Sequence, residues 1–75
     1  MTNNEIIKKL RIALDLKEAD IIEILKFAEY NIKKTELSGV FRKREHKNFK
    51  ECSDLLLSHF LNGYIIYKRG PKPVK

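Results

Sequence analysis

The stretch Ser53 to Tyr67 constrains the fold most, because nine of its fifteen residues are large and apolar: Leu55, Leu56, Leu57, Phe60, Leu61, Tyr64, Ile65, Ile66 and Tyr67. At about 100° per residue, Leu57, Phe60, Leu61, Tyr64 and Ile65 form one stripe with Leu56 and Tyr67 on its flank. Leu55 and Ile66 fall on the far side. A helix apolar on two sides is either central in a bundle or covered a second time by a partner. The chain therefore reads as an all-α domain with its C-terminal helix at the centre.

Three further helices are expected around it. Thr2 and Glu5 have capping-box spacing and open a helix over 2–16, with Ile6, Ile7, Leu10, Ala13 and Leu14 on one face and Ile12 isolated on the other. Asp15 and Glu18 repeat that spacing before a helix over 17–30, whose inner face is Ile21, Ile24, Leu25 and Ala28. Asn31 suits its end, since Asn tolerates the left-handed conformation. Thr35 is the expected cap of a short helix over 35–44 that buries Leu37, Val40 and Phe41. Gly39 inside it costs up to about 1 kcal/mol relative to Ala, and close approach of another backbone would account for it. Ser53 caps the last helix, 53–69, which Gly70 and Pro71 stop. Residues 1–70 thus form one compact four-helix domain, and 71–75 a flexible tail or the start of a linker.

A single 75-residue core supplies only roughly 3–5 kcal/mol, and small domains commonly add disulfides, a metal or a second subunit. One cysteine cannot form an internal disulfide, and a lone thiol fits a reducing compartment. The amino terminus lacks the basic-then-apolar order of a signal peptide, and no apolar run approaches the ~20 residues of a membrane span. A soluble cytoplasmic protein with no membrane contact is expected, and a homodimer is the stabilising route left open. Ile12, Leu55 and Ile66 lie off the main stripes and are the expected interface.

The net charge of +6 is unevenly placed. Residues 33–50 hold seven basic and two acidic groups, whereas residues 1–32 hold five and six. Such a segment attracts nucleic acid or an acidic protein surface through its field, although many basic runs are simply solvated. Cys52, His46 and His59 have neither the paired spacing of a zinc site nor the proximity of a Cys–His nucleophile. No phosphate loop or paired-carboxylate motif is present either. No catalytic residue, metal, cofactor or small-molecule substrate is therefore expected, and the chain does not read as an enzyme.

The second and third helices, joined by a short turn, have the spacing of a helix-turn-helix. Lys33, Lys34, Ser38, Arg42 and Lys43 would form its contact set for DNA, with Thr35 beside them. Against this stand a turn longer than is usual and the acids Glu18, Asp20 and Glu23 nearby. The preferred expectation is a small DNA-binding or regulatory module. A protein-interaction or oligomerisation module with no nucleic-acid role is the alternative.

Several separate blocks also resemble a known family. Asn3-Asn4-Glu5, Leu10 to Leu16, Glu51-Cys52-Ser53-Asp54, and Phe60-Leu61-Asn62-Gly63 followed by Lys68-Arg69-Gly70 are similar to the YehS-like family of bacterial proteins of unknown function. The resemblance covers residues 2–70. It implies no activity, and it implies a unit that usually occurs twice per chain and stands once here. Ile12, Tyr30 and Asn62 replace an aromatic, a glycine and an acid common in that family.

Overall fold

The structure is a computed structural model that describes residues 1–69; the expected stop at Gly70-Pro71 and the tail over 71–75 lie outside the described residues. Four helices follow in order: α1 Asn3–Ala13, α2 Glu18–Phe27, α3 Lys34–Val40 and α4 Asp54–Arg69, with no strand among the described residues. The all-α reading holds, although each helix is somewhat shorter than its periodicity suggests.

Local chemistry sets the helix ends. At α1 the Glu5 amide donates to Thr2 Oγ1 (3.2 Å) and the Thr2 amide to Glu5 Oε1 (2.8 Å), the reciprocal cap expected there. Its other end differs from expectation. Asp15 takes the left-handed conformation (φ 55°), with Asp15 N–H on Ile12 O and Leu16 N–H on Arg11 O, a Schellman ending. Asp15 is thereby removed as the cap of α2, and Lys17 takes that place, its amide held by Asp20 Oδ2 at 2.9 Å. The end of α2 repeats the device with Glu29 (φ 59°), not Asn31, in the left-handed position. Likewise α3 starts from Lys33, not Thr35, with the Lys33 amide 3.5 Å from Glu36 Oε1. Ser53 does cap α4, accepting from the Leu56 amide at 3.0 Å.

The core consists of Ile7, Ile21, Ile24, Leu25, Leu37, Val40, Cys52, Leu56 and Phe60. Most of the packing runs between α2 and α4, with α3 resting on α2 and α1 on α4. The buried face of α4 is Leu56, Phe60 and Gly63, about one residue's rotation (~100°) from the stripe that periodicity selects. Leu61 and Ile65, expected inside, are exposed. The reason is Gly63: a Cβ there would lie 2.1 Å from the Ile24 carbonyl oxygen, so the α2 backbone rests directly on this glycine. A hydrophobicity pattern gives glycine no weight, yet here it is the point of closest approach.

Asn4 joins the elements that periodicity leaves unconnected. It is buried, its Nδ2 donates to Val40 O (3.0 Å) and Lys50 O (2.8 Å), and its Oδ1 accepts from the Cys52 amide (2.9 Å). Asn3 Nδ2 adds bonds to Cys52 O (3.2 Å) and Asp54 Oδ1 (2.6 Å). The start of α1 thus clamps the end of the segment that links α3 to α4.

Candidate nucleic-acid interface

The basic segment is shaped by α3 and by the irregular chain after it. Gly39 brings the two together: its carbonyl accepts from the Lys50 amide at 3.0 Å, and a Cβ on it would stand 2.6 Å from Asn48 O. That is the close backbone approach its place in a helix called for. Turns at Lys43–His46 and His46–Phe49 fold the segment back (both 2.9 Å), and Phe49 is half-buried with the Arg44 guanidinium 5.5 Å from its ring centre.

An open groove of about 780 Å³ results, lined by Lys33, Lys34, Thr35, Glu36, Ser38, Arg42, Lys47, Asn48 and Lys50. Five cations line it with one carboxylate, that of Glu36. Four of the five expected contact residues, Lys33, Lys34, Ser38 and Arg42, share this groove. Lys43 lines the adjoining hollow instead, with Arg42, Ser38 and His46. Lys47, Asn48 and Lys50 also belong to the groove, and the sequence signal for them is Gly39.

The side chains are not equally free. Lys33, Lys34, Arg42, Lys43, Lys47 and Lys50 are exposed. Ser38 is half-buried, and its hydroxyl donates to Glu18 Oε1 at 2.9 Å. Glu18 also stands 3.8 Å from Arg11 Nη1, and Arg11 lies 4.7 Å from the Phe41 ring centre. Two of the three acids at the start of α2 are engaged within the protein, Glu18 by Ser38 and Arg11 and Asp20 by the Lys17 amide, whereas Glu23 is exposed.

As a helix-turn-helix the α2–α3 pair is atypical. Six residues, 28–33, connect the helices, against the 3–4 usual in that motif. At seven residues α3 is only about 10 Å long, at 1.5 Å per residue.

The remaining candidates have structural explanations. Cys52 is buried where α4 begins, and burial, then the charge of Asp54, push its thiol up from the ordinary value. His59 lies against Tyr30 in a tilted ring contact, the ring centres 4.9 Å apart. His46 Nδ1 accepts from the Asn48 amide at 3.0 Å. Of the expected interface residues, Ile12 and Leu55 are exposed and Ile66 is half-buried.

Residues 3–70 match the family described as "Protein of unknown function (DUF1456)". The chain belongs to the DUF1456 family. It is also 43% identical over 63 residues to an uncharacterized protein, YehS, of Escherichia coli (strain K12), a match that covers 84% of this chain and 40% of that protein. The chain thus spans two-fifths of that relative's length. No solved structure matches it. Two of the blocks that carry the family resemblance, Asn3-Asn4-Glu5 and Glu51-Cys52-Ser53-Asp54, meet through the Asn3 and Asn4 hydrogen bonds. Their pairing gives both blocks a role in folding. No helix of the described residues is long and apolar enough to cross a membrane.

Proposed function

We propose that this chain is a small cytoplasmic module that binds DNA, as a regulatory protein would, through the groove between α3 and the segment 42–50. The observation that carries this reading is the gathering of Lys33, Lys34, Arg42, Lys47 and Lys50 around one concavity with Glu36 as its only acid. Exposed cations at that density neutralise phosphates and release condensed counterions, which is the main source of sequence-independent affinity. Base reading contributes less here. Ser38 is held by Glu18 and α3 is under two turns long, so phosphate contacts dominate.

The test is binding of a mixed-sequence duplex, followed by fluorescence anisotropy across a salt series. Contact with about four or five phosphates gives a slope of log affinity on log salt near −4, from roughly −0.9 per phosphate. Exchanging Lys47 and Lys50 for Ala should flatten that slope by about 1–2 and weaken all duplexes alike. No binding at low salt, or a slope unchanged in the variant while helicity is retained, sinks the reading. The alternative, an interaction module with no nucleic-acid role, draws its support from a different surface: the exposed Leu61 and Ile65 of α4.

A further inference from the structure

Between Asp54 and Lys68 the helix α4 carries no Asp, Glu, Lys or Arg in thirteen consecutive residues, in a chain that is 35% charged. Its inward face, Leu56, Phe60 and Gly63, is occupied by the core. The opposite arc holds Leu55, Ser58, Leu61, Asn62 and Ile65, and there Leu55 is 61%, Leu61 43% and Ile65 53% exposed. Single exposed leucines are ordinary, but a solvated helix face is normally studded with charge. Here the charges stand only at the two ends of the arc. Asp54 is at the N-terminal end, Lys68 and Arg69 are at the C-terminal end, and all three are exposed.

We propose that this face is covered by the same face of a second copy, the two α4 helices running antiparallel about a two-fold axis near Leu61 and Asn62. Charge complementarity selects this occupant. A two-fold contact must be self-complementary, and an acid at one end with bases at the other satisfies that only when the helices run in opposite directions. Asp54 then faces Arg69 of the partner copy at each end, and each helix N-terminus lies beside a C-terminus, which the helix dipoles favour. In the same register the small Ser58 opposes Ile65, and Leu61 packs beside the polar Asn62 at the axis. A lipid surface is a poorer occupant, since interfacial helices border their apolar face with Lys and Arg and this one is bordered by Asp54 at one end. The exposed charge pairs set direction and register; the apolar centre supplies the affinity.

Two of the residues expected at the interface, Ile12 and Ile66, lie outside this arc. Ile66 is half-buried, and Ile12 stands on α1 one turn from the exposed Lys8 and Lys9. Leu55 remains, at the edge of the arc. The proposal is independent of nucleic-acid binding.

Sedimentation equilibrium of the 75-residue chain is the test. With only a helix-sized contact, the dimer should dissociate on the order of 10–100 µM. Ile65→Glu should weaken it by about thirty-fold or more with helicity unchanged, since Ile65 is half exposed in the monomer, and Ile12→Glu should leave it unaltered. Arg69→Glu should weaken it, and the double variant Asp54→Lys/Arg69→Glu should restore it with helicity unchanged, a check needed because Asp54 Oδ1 also accepts from Asn3 Nδ2. Leu61→Cys, next to the axis, should cross-link to itself on mild oxidation, whereas the buried Cys52 does not. A chain that stays monomeric at about 500 µM, a dimer indifferent to Ile65→Glu, absence of the Leu61→Cys cross-link, or a charge exchange that fails to restore association would each overturn the proposal.

Discussion

Replacing Asn4 by Ala should destabilise the domain far more than its place in the first turn of a helix suggests. The side chain holds three backbone groups, Val40 O at 3.0 Å, Lys50 O at 2.8 Å and Cys52 N–H at 2.9 Å. At about 1 kcal/mol net per hydrogen bond the loss is about 3 kcal/mol. Ala is the better helix former, which returns up to about 0.7 kcal/mol. The net loss of about 2–3 kcal/mol is about half or more of the roughly 3–5 kcal/mol that a core of this size supplies. Thermal unfolding followed by circular dichroism should show a Tm lower by about 10–20 °C, at 4–8 °C per kcal/mol for a small domain. Hydrogen exchange should quicken first at Cys52 and its neighbours, because that amide loses its acceptor. Asn4→Asp is the sharper variant. It keeps an acceptor for Cys52 but turns a carboxylate oxygen toward two carbonyls, so near pH 7 it should be at least as unstable as Asn4→Ala. A Tm within about 4 °C of the parent for both variants would refute this account of Asn4 as a clamp.

Gly63→Ala should lower stability by about 1–3 kcal/mol in spite of Ala's higher helix propensity, because the new Cβ meets the Ile24 carbonyl, which cannot swing away; a rise in Tm would show that α2 and α4 do not meet there. Glu29→Gly should raise stability by up to about 1 kcal/mol in urea titration, since Glu29 holds a φ of 59° that suits glycine better. Cys52 should resist alkylation in the folded protein and react at the rate of unfolding. Because its thiol is pushed up by burial and by Asp54, its contribution to stability is complete below about pH 9.0 and falls as pH rises past that value, where the unfolded thiol ionises first. The parent should therefore lose stability relative to Cys52→Ala as pH rises above about 9.0, and parallel curves for the two would show that the shift is absent.

The basic groove was half legible in the sequence. Lys33, Lys34, Ser38 and Arg42 stand together because they share one short helix and its exit, and local spacing finds such neighbours. Lys47, Asn48 and Lys50 reach the same groove only because the chain returns to Gly39, a contact between segments that no periodicity encodes. The engagement of Ser38 by Glu18, twenty residues away, is equally non-local.

What the sequence determined by itself is the number and order of the helices and those ends where a side chain caps its own turn, as at Thr2–Glu5 and Ser53. These are contacts within a few residues, whose geometry varies little with the rest of the fold. The tertiary structure decided which way each helix faces and where the less marked ends fall. Asp15 and Glu29 adopt the left-handed conformation, disfavoured by about 1–2 kcal/mol for such residues, where their chain must turn for α2 to pack. In the same way α4 turns Gly63 inward and leaves Leu61 and Ile65 outside, because backbone contact with Ile24 brings the two helices closer than any larger side chain at that position would allow.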